Sequence, residues 1–276
     1  MTSPEDTDTD ADDNNDNNDN NDNNEGAPMA VIYVYGIVPA DVQPEEDATG
    51  IHDAPIEIVP HGDIAALVSE IDPDQRLGTP ADLQAHARIL DGTSHVAPVL
   101  PLRFGAVLSD RDAVINELLA EHEDEFTSAL DQLEGFAQYM VKGRYVEETI
   151  IREIVDDSPK ATSLLESIRD QPEELSRDDR MALGEIIGHA LEAKRDADTR
   201  ITLDALSPLT DTVTVREPTH DEDAVQIAIL LEVDRQGELE QTVGDLAARW
   251  DDRVTLRILG PMAPYDFVVA PTASSP

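Results

Sequence analysis

Residues 225–233 read VQIAILLEV and set Val225, Ile227, Ile229, Leu231 and Val233 on alternate positions, the period of two that gives a β-strand one apolar face. Upstream, Val213 and Val215 show the same alternation. Downstream, a helical stretch from Gly237 to Trp250 leads to Val254, Leu256 and Ile258, which alternate with Arg253, Thr255 and Arg257. An earlier strand is expected from Phe136 to Val146, where Tyr139 and Val141 oppose Met140 and Lys142, and it runs into a helix at Glu147 to Val155. Two more helices follow, near Ala161 to Arg169 and from Ser176 to about Leu206, with Pro159, Pro172 and Pro208 as punctuation. The order is strand, helix, helical insert, strand, strand, helix, strand. It matches the split βαβ arrangement of a ferredoxin-like domain with helical insertions.

Gly135 is the expected boundary between that unit and an N-terminal one. The latter opens with Val31 to Val38, a β-branched and aromatic run closed by Pro39, which predicts a central strand. Ile56 to Val59, a turn at His61, Gly62 and Asp63, then Ile64, Ala66 and Val68 predict a hairpin. Thr79 as N-cap and Pro80 in the first turn predict a helix carrying Leu83, Ala87 and Leu90 and stopping at Asp91 and Gly92. Val96 to Leu108 is expected to form a second strand region. Ser109 or Asp110 then caps one long helix with a stripe of Val114, Leu118, Leu119, Phe126, Leu130 and Leu133. The fold class is therefore α+β in two domains, residues 29–135 and 136–276, behind an Asp/Asn-rich tail at 1–28 too polar to bury anything against its ordering cost.

The 276 residues hold 19 Lys plus Arg against 60 Asp plus Glu, a net charge of −41. Residues 1–27 contribute ten acids and no base, so the rest of the chain keeps −31. With only three lysines among its bases, such a surface reads as adapted to a salt-loaded cytoplasm, where a Debye length of about 3 Å at molar salt makes the self-repulsion tolerable. It also repels phosphate backbones and anionic headgroups, which excludes nucleic-acid and membrane-surface partners. No basic leader and no apolar run of about 20 residues is present. Without cysteine there is no thiol catalysis, disulfide or thiolate metal site.

The seven histidines include no i, i+3 or i+4 pair on a helix, so no metal site is expected, and neither G-x-G-x-x-G, a Walker A loop, G-x-S-x-G nor S-x-x-K occurs. His86 and His95 flank a helix end. The unusual segment is Pro98 to Gly105, PVLPLRFG, in which Arg103 stands among apolar residues on a backbone held extended by two prolines. Either its stem covers the core and its guanidinium is satisfied locally, or the segment is a recognition ridge. The stretch from Gly260 to Ala270, GPMAPYDFVVA, repeats the mixture of proline, aromatic and apolar residues, so it either caps the sheet or presents Tyr265 and Phe267 to a partner.

YVYGIV (33–38), His86 followed by Arg88, Ile89 and Leu90, VLPLRFG (99–105), YMVK (139–142) and GPMAPYDFV (260–268) occur in an order that resembles the gas vesicle protein F/L family, GvpF/GvpL. The chain's length and acidity look most like the L-type protein of haloarchaea. The resemblance implies a non-enzymatic accessory protein of gas vesicle assembly, without cofactor. It implies an α+β N-terminal domain, a ferredoxin-like C-terminal one, and binding to the small hydrophobic shell protein or to other accessory gas vesicle proteins. The expected contact residues are Tyr33, Tyr35, Leu102, Arg103, Phe104, Tyr265 and Phe267. The competing reading is a small-ligand or acyl-phosphate enzyme on a ferredoxin-like scaffold, with Arg103 holding an anion and His86 or His95 as acid/base.

Overall fold

The computed structural model describes residues 30–44, 47–170, 172 and 176–268; the expected 1–28 tail lies outside them. The first sheet is built on β1 (Val31–Pro39), and β2 (Glu57–His61) and β3 (Ile64–Ile71) form the expected hairpin. Its antiparallel order is β2-β3-β1-β4, where β4 is Leu100–Pro101, and β5 (Val107–Leu108) pairs with the other end of β1. β1 is apolar throughout because both of its faces are covered. Ile32, Val34 and Ile37 pack with Val114, Phe126 and Leu130, while Tyr33, Tyr35 and Val38 pack with Ala85 and Leu90 of α1 (Pro80–Ser94).

Helix α1 opens on a reciprocal capping box. Thr79 Oγ1 accepts from the Asp82 N–H, and Asp82 Oδ2 accepts from the Thr79 N–H at 2.9 Å. It does not stop at Asp91 and Gly92 as expected but continues to Ser94. The last carbonyls are satisfied by side chains of the final turn, Thr93 on Ile89 O and both Ser94 and His95 on Asp91 O, so a single glycine does not end the helix.

Two further expectations change. Residues 96–108 form two short strands rather than one region, because the chain lifts off β1 in a turn over Arg103 to Ala106. Leu102 N–H still donates to Tyr35 O and Ala106 O accepts from Val34 N–H, both at 2.9 Å. The single helix expected up to Gly135 is divided into α2 (Arg111–Ala113), a π-helical stretch Val114–Leu119 and α3 (Glu123–Leu133). The wide turn, with Ala120 N–H on Ile115 O, rotates the apolar stripe so that both Leu118 and Leu119 enter the core.

The second sheet contains β6 (Phe136–Tyr145), β7 (Val213–Val215), β8 (Asp223–Glu232) and β9 (Val254–Met262), antiparallel in the order β7-β8-β6-β9. One face is covered by α4 (Glu147–Asp157), α6 (Arg177–Leu206) and α7 (Gln236–Arg249) through Tyr139, Val141, Ile227, Ile229, Ile154 and Leu239. α5 (Pro159–Asp170) packs on α6. This layer contains buried charge. Asp198, 3% exposed, accepts from Tyr145 Oη at 2.6 Å and pairs with Arg253 at 3.0 Å; Arg253 also reaches Glu153, which Lys194 shares at 2.6 Å. The network ties α4 and α6 to the ends of β6 and β9. Among the described residues no helix is long and apolar enough to cross a membrane.

Candidate functional site

Alternation along β1 sends Tyr33 and Tyr35 to the α1 face, with their rings 4.9 Å apart. Both are fully buried, which corrects the expectation that they touch a partner. A tyrosine placed in a core needs its hydroxyl satisfied, and these two are. Tyr35 Oη donates to Ser69 Oγ at 3.1 Å and accepts from Ile51 N–H at 2.8 Å. Tyr33 Oη accepts from Gly105 N–H at 3.1 Å and lies 2.9 Å from His86 Nδ1. His86 also hydrogen-bonds the Leu102 backbone. The consistent assignment has Nδ1 accepting from Tyr33 while Nε2–H donates to the Leu102 carbonyl.

Burial pushes His86 down to about 4, partly opposed by the bond to Leu102, so the imidazole is neutral at pH 7. Burial likewise raises the Tyr33 phenol far above its ordinary value. Neither group is poised for proton transfer.

What this pair does is hold a loop. Leu102 and Gly105, the two ends of the PVLPLRFG turn, are fastened from beneath by His86 and Tyr33. Phe104 packs half-buried against the same two rings, with centroids at 5.6 and 6.0 Å. Leu102 is buried, whereas Arg103 is exposed and its guanidinium has neither ion pair nor hydrogen bond among the described residues. The reading in which Arg103 is satisfied locally is therefore replaced by one in which the fold presents it. Gly36 allows this arrangement: a Cβ there would lie 2.6 Å from Leu100 O and 2.8 Å from Leu90 Cδ2.

Tyr265 and Phe267 belong to a second cluster. Asp91, one and a half turns along α1 from His86, takes the Ala263 N–H at 3.0 Å and Tyr265 Oη at 3.1 Å on a single carboxylate oxygen. Asp266 and Gln138 exchange two hydrogen bonds. Tyr265 keeps 37% of its surface open and Phe267 is half-buried. These residues cap the second sheet against α1 rather than joining the Arg103 turn. His95 is exposed on the helix end and meets no other histidine. Among the described residues there is no cluster of three or more metal-ligating side chains.

Sequence reasoning missed an open groove of about 1100 Å³ between residues 41–44 and 47–49, the second half of α1 and the end of α3. Its floor is Val42, Ile56, Ile89 and Leu130; Asp41, Asp47, Asp53, Asp131 and Glu134 surround it. Five separate segments build it, so no local motif announces it. Convergent apolar and acidic groups, with no histidine, lysine, serine or cysteine among them, suit recognition of another protein better than chemistry.

A family model described as gas vesicle synthesis protein GvpL/GvpF matches residues 31–269. Gas vesicle protein F of Streptomyces sp. (strain CB03234) is 31% identical, over 86% of this chain and 98% of that protein. Gas vesicle protein L1 of Halobacterium salinarum (strain ATCC 700922 / JCM 11081 / NRC-1) is 26% identical, over 85% and 89%. The crystal structure of GvpF from Anabaena sp. PCC7120 superposes with a TM-score of 0.70 at 22% identity, covering 88% of this chain and 97% of that one.

Proposed function

The chain belongs to the gas vesicle synthesis protein GvpL/GvpF family, a non-enzymatic accessory family with a role in gas vesicle formation, and from this premise we propose that it works by binding the small hydrophobic shell protein or its fellow accessory proteins through the Leu102 to Gly105 turn. A wall subunit that polymerises around gas carries a strongly apolar face, which aggregates before assembly unless something covers it. A companion of net charge −41 keeps such a complex soluble and limits where contact occurs.

The observation that carries this reading is Arg103: exposed, unpaired among the described residues, and held at the tip of a turn fastened at both ends. A pre-organised arginine beside a half-buried phenylalanine is the kind of side-chain pair that anchors protein interfaces. We read residues 29–135 as one domain and 136–276 as a ferredoxin-like second one, in keeping with the split β-α-β-β-α-β order. We place the protein in the cytoplasm, associated with the vesicle.

The test is a pull-down at molar KCl against the shell protein and each accessory protein separately, with wild type and Arg103→Ala. Capture of the shell protein supports a chaperone or nucleator; capture of accessory proteins alone makes the chain an assembly scaffold. In either case Arg103→Ala should lose capture at an unchanged melting temperature. Full capture by that variant would remove the turn from the interface.

A further inference from the structure

Residues directly opposite on antiparallel neighbours share a face, and one row across the second sheet reads Arg216, Gln226, Lys142, Arg257. Gln226 is in register with Lys142 and Lys142 with Arg257; Arg216 joins by donating its backbone N–H to Gln226 O at 2.8 Å. Three of only 19 basic residues thus fall on a single line in a chain with 60 acids. Arg216 has a carboxylate, Asp266, at 3.1 Å. Lys142 and Arg257 have none, and neither side chain makes a hydrogen bond or ion pair among the described residues. Like charges directly opposite one another destabilise a sheet, and with so many acids in the sequence a single carboxylate would have relieved the pair.

Arg257 also lies on an edge. β9 pairs with β6 on one side and with no strand on the other among the described residues. Thr255 and Arg257 are exposed beside Leu259, which is 37% exposed. We propose that β9 is a docking edge for an extended, carboxylate-bearing segment of a partner protein, which adds as a strand along residues 254–259 and sets an acidic side chain against Lys142 and Arg257.

Main-chain hydrogen bonds along the edge supply affinity that salt does not screen, and the carboxylate fixes register and choice of partner. Asp266 on Arg216 is the same contact made within the chain. A second copy fits less well, because pairing β9 with β9 brings a second Arg257 and no carboxylate onto the cationic face. The Asp/Asn-rich residues 1–27 satisfy the charge but have the lowest propensity for strand formation. This edge is separate from the Arg103 turn, so either surface can fail without the other.

The test uses the full chain at molar KCl and two capped synthetic peptides, one alternating Val with Glu and one alternating Val with Lys. Backbone amide shifts are followed by NMR. The Glu peptide should shift the amides of 254–259, and the Lys peptide should shift none. Arg257→Glu, an exposed change, should weaken the Glu peptide at least about tenfold and admit the Lys peptide; Lys142→Glu should do the same. Absence of binding, equal binding of both peptides, or shifts elsewhere would overturn the proposal. So would binding that emerges only after deletion of residues 1–28, which would make the chain's own acidic stretch the occupant.

Discussion

His86 offers a sharp test of the loop-fastening arrangement, because its burial converts into a pH dependence of stability. The folded chain takes a proton on His86 only near pH 4, against 6.5 for the free side chain. Between these values the unfolded chain binds a proton that the folded one refuses. Stability contributed by the neutral imidazole is therefore whole above pH 6.5 and is lost as pH falls toward 4, at up to about 1.4 kcal/mol per pH unit. By pH 5 the loss is about 2 kcal/mol. The residue is 6% exposed, so solvent screening takes little away.

His86→Gln removes the titration and weakens two buried hydrogen bonds, which costs about 1–2 kcal/mol at pH 7. Protonation of surface carboxylates also changes stability over this range, in the opposite sense for so acidic a chain, but it is common to both proteins and cancels in the difference. Urea unfolding in molar KCl at pH 7, 6 and 5, followed through the single buried Trp250, should show the wild-type advantage shrinking to nothing by pH 5. An advantage that stays constant with pH, or an imidazole that titrates near 6.5 by NMR, would refute the assignment of His86 as a neutral tether.

Gly36→Ala places a methyl against Leu100 O and Leu90 Cδ2; it should cost about 1–3 kcal/mol and increase amide exchange across residues 99–105 more than in the second sheet. Asp198→Ala leaves the buried Tyr145 hydroxyl without its acceptor and Arg253 with Glu153 as its one remaining carboxylate, and should cost about 1–3 kcal/mol, readable as a lower urea midpoint. Tyr145→Phe, which spares the ion pairs, should cost only about 1 kcal/mol. A melt in dilute buffer should fall well below one in molar KCl, since salt screens the surface acids far more than the Asp198 network; equal midpoints would contradict the reading of that surface.

Strand positions were legible because apolar alternation is a local signal: the hairpin at 57–71 and the four strands of the second sheet lie where period two put them. Alternation does not say which elements cover a face, so Tyr33 and Tyr35 read equally well as contacts or as core. Only the arrival of α1, 50 residues later, buries them. The split of residues 96–108 depends on hydrogen bonds to β1, and the π-helical turn at Val114–Leu119 on packing; neither has a sequence signature. For the candidate site, Arg103 was visible as an anomaly, but its exposure was not, because it follows from two fasteners 70 and 17 residues away. The groove and the cation row are products of sheet register and chain crossing and have no linear motif.

The Asp91 contacts span 172 and 174 positions, and Ala263, wholly buried, completes the apolar layer beneath β1 and α1. During synthesis the first sheet and its helices leave the ribosome long before residue 263 exists. The N-terminal half must therefore wait with that layer open, its Asp91 carboxylate facing water, until the final strand is made. Only a chain that already includes residue 263 can close it. A nascent or shortened chain that lacks residues 263–265 therefore presents a different surface beside α1, with Asp91 uncovered.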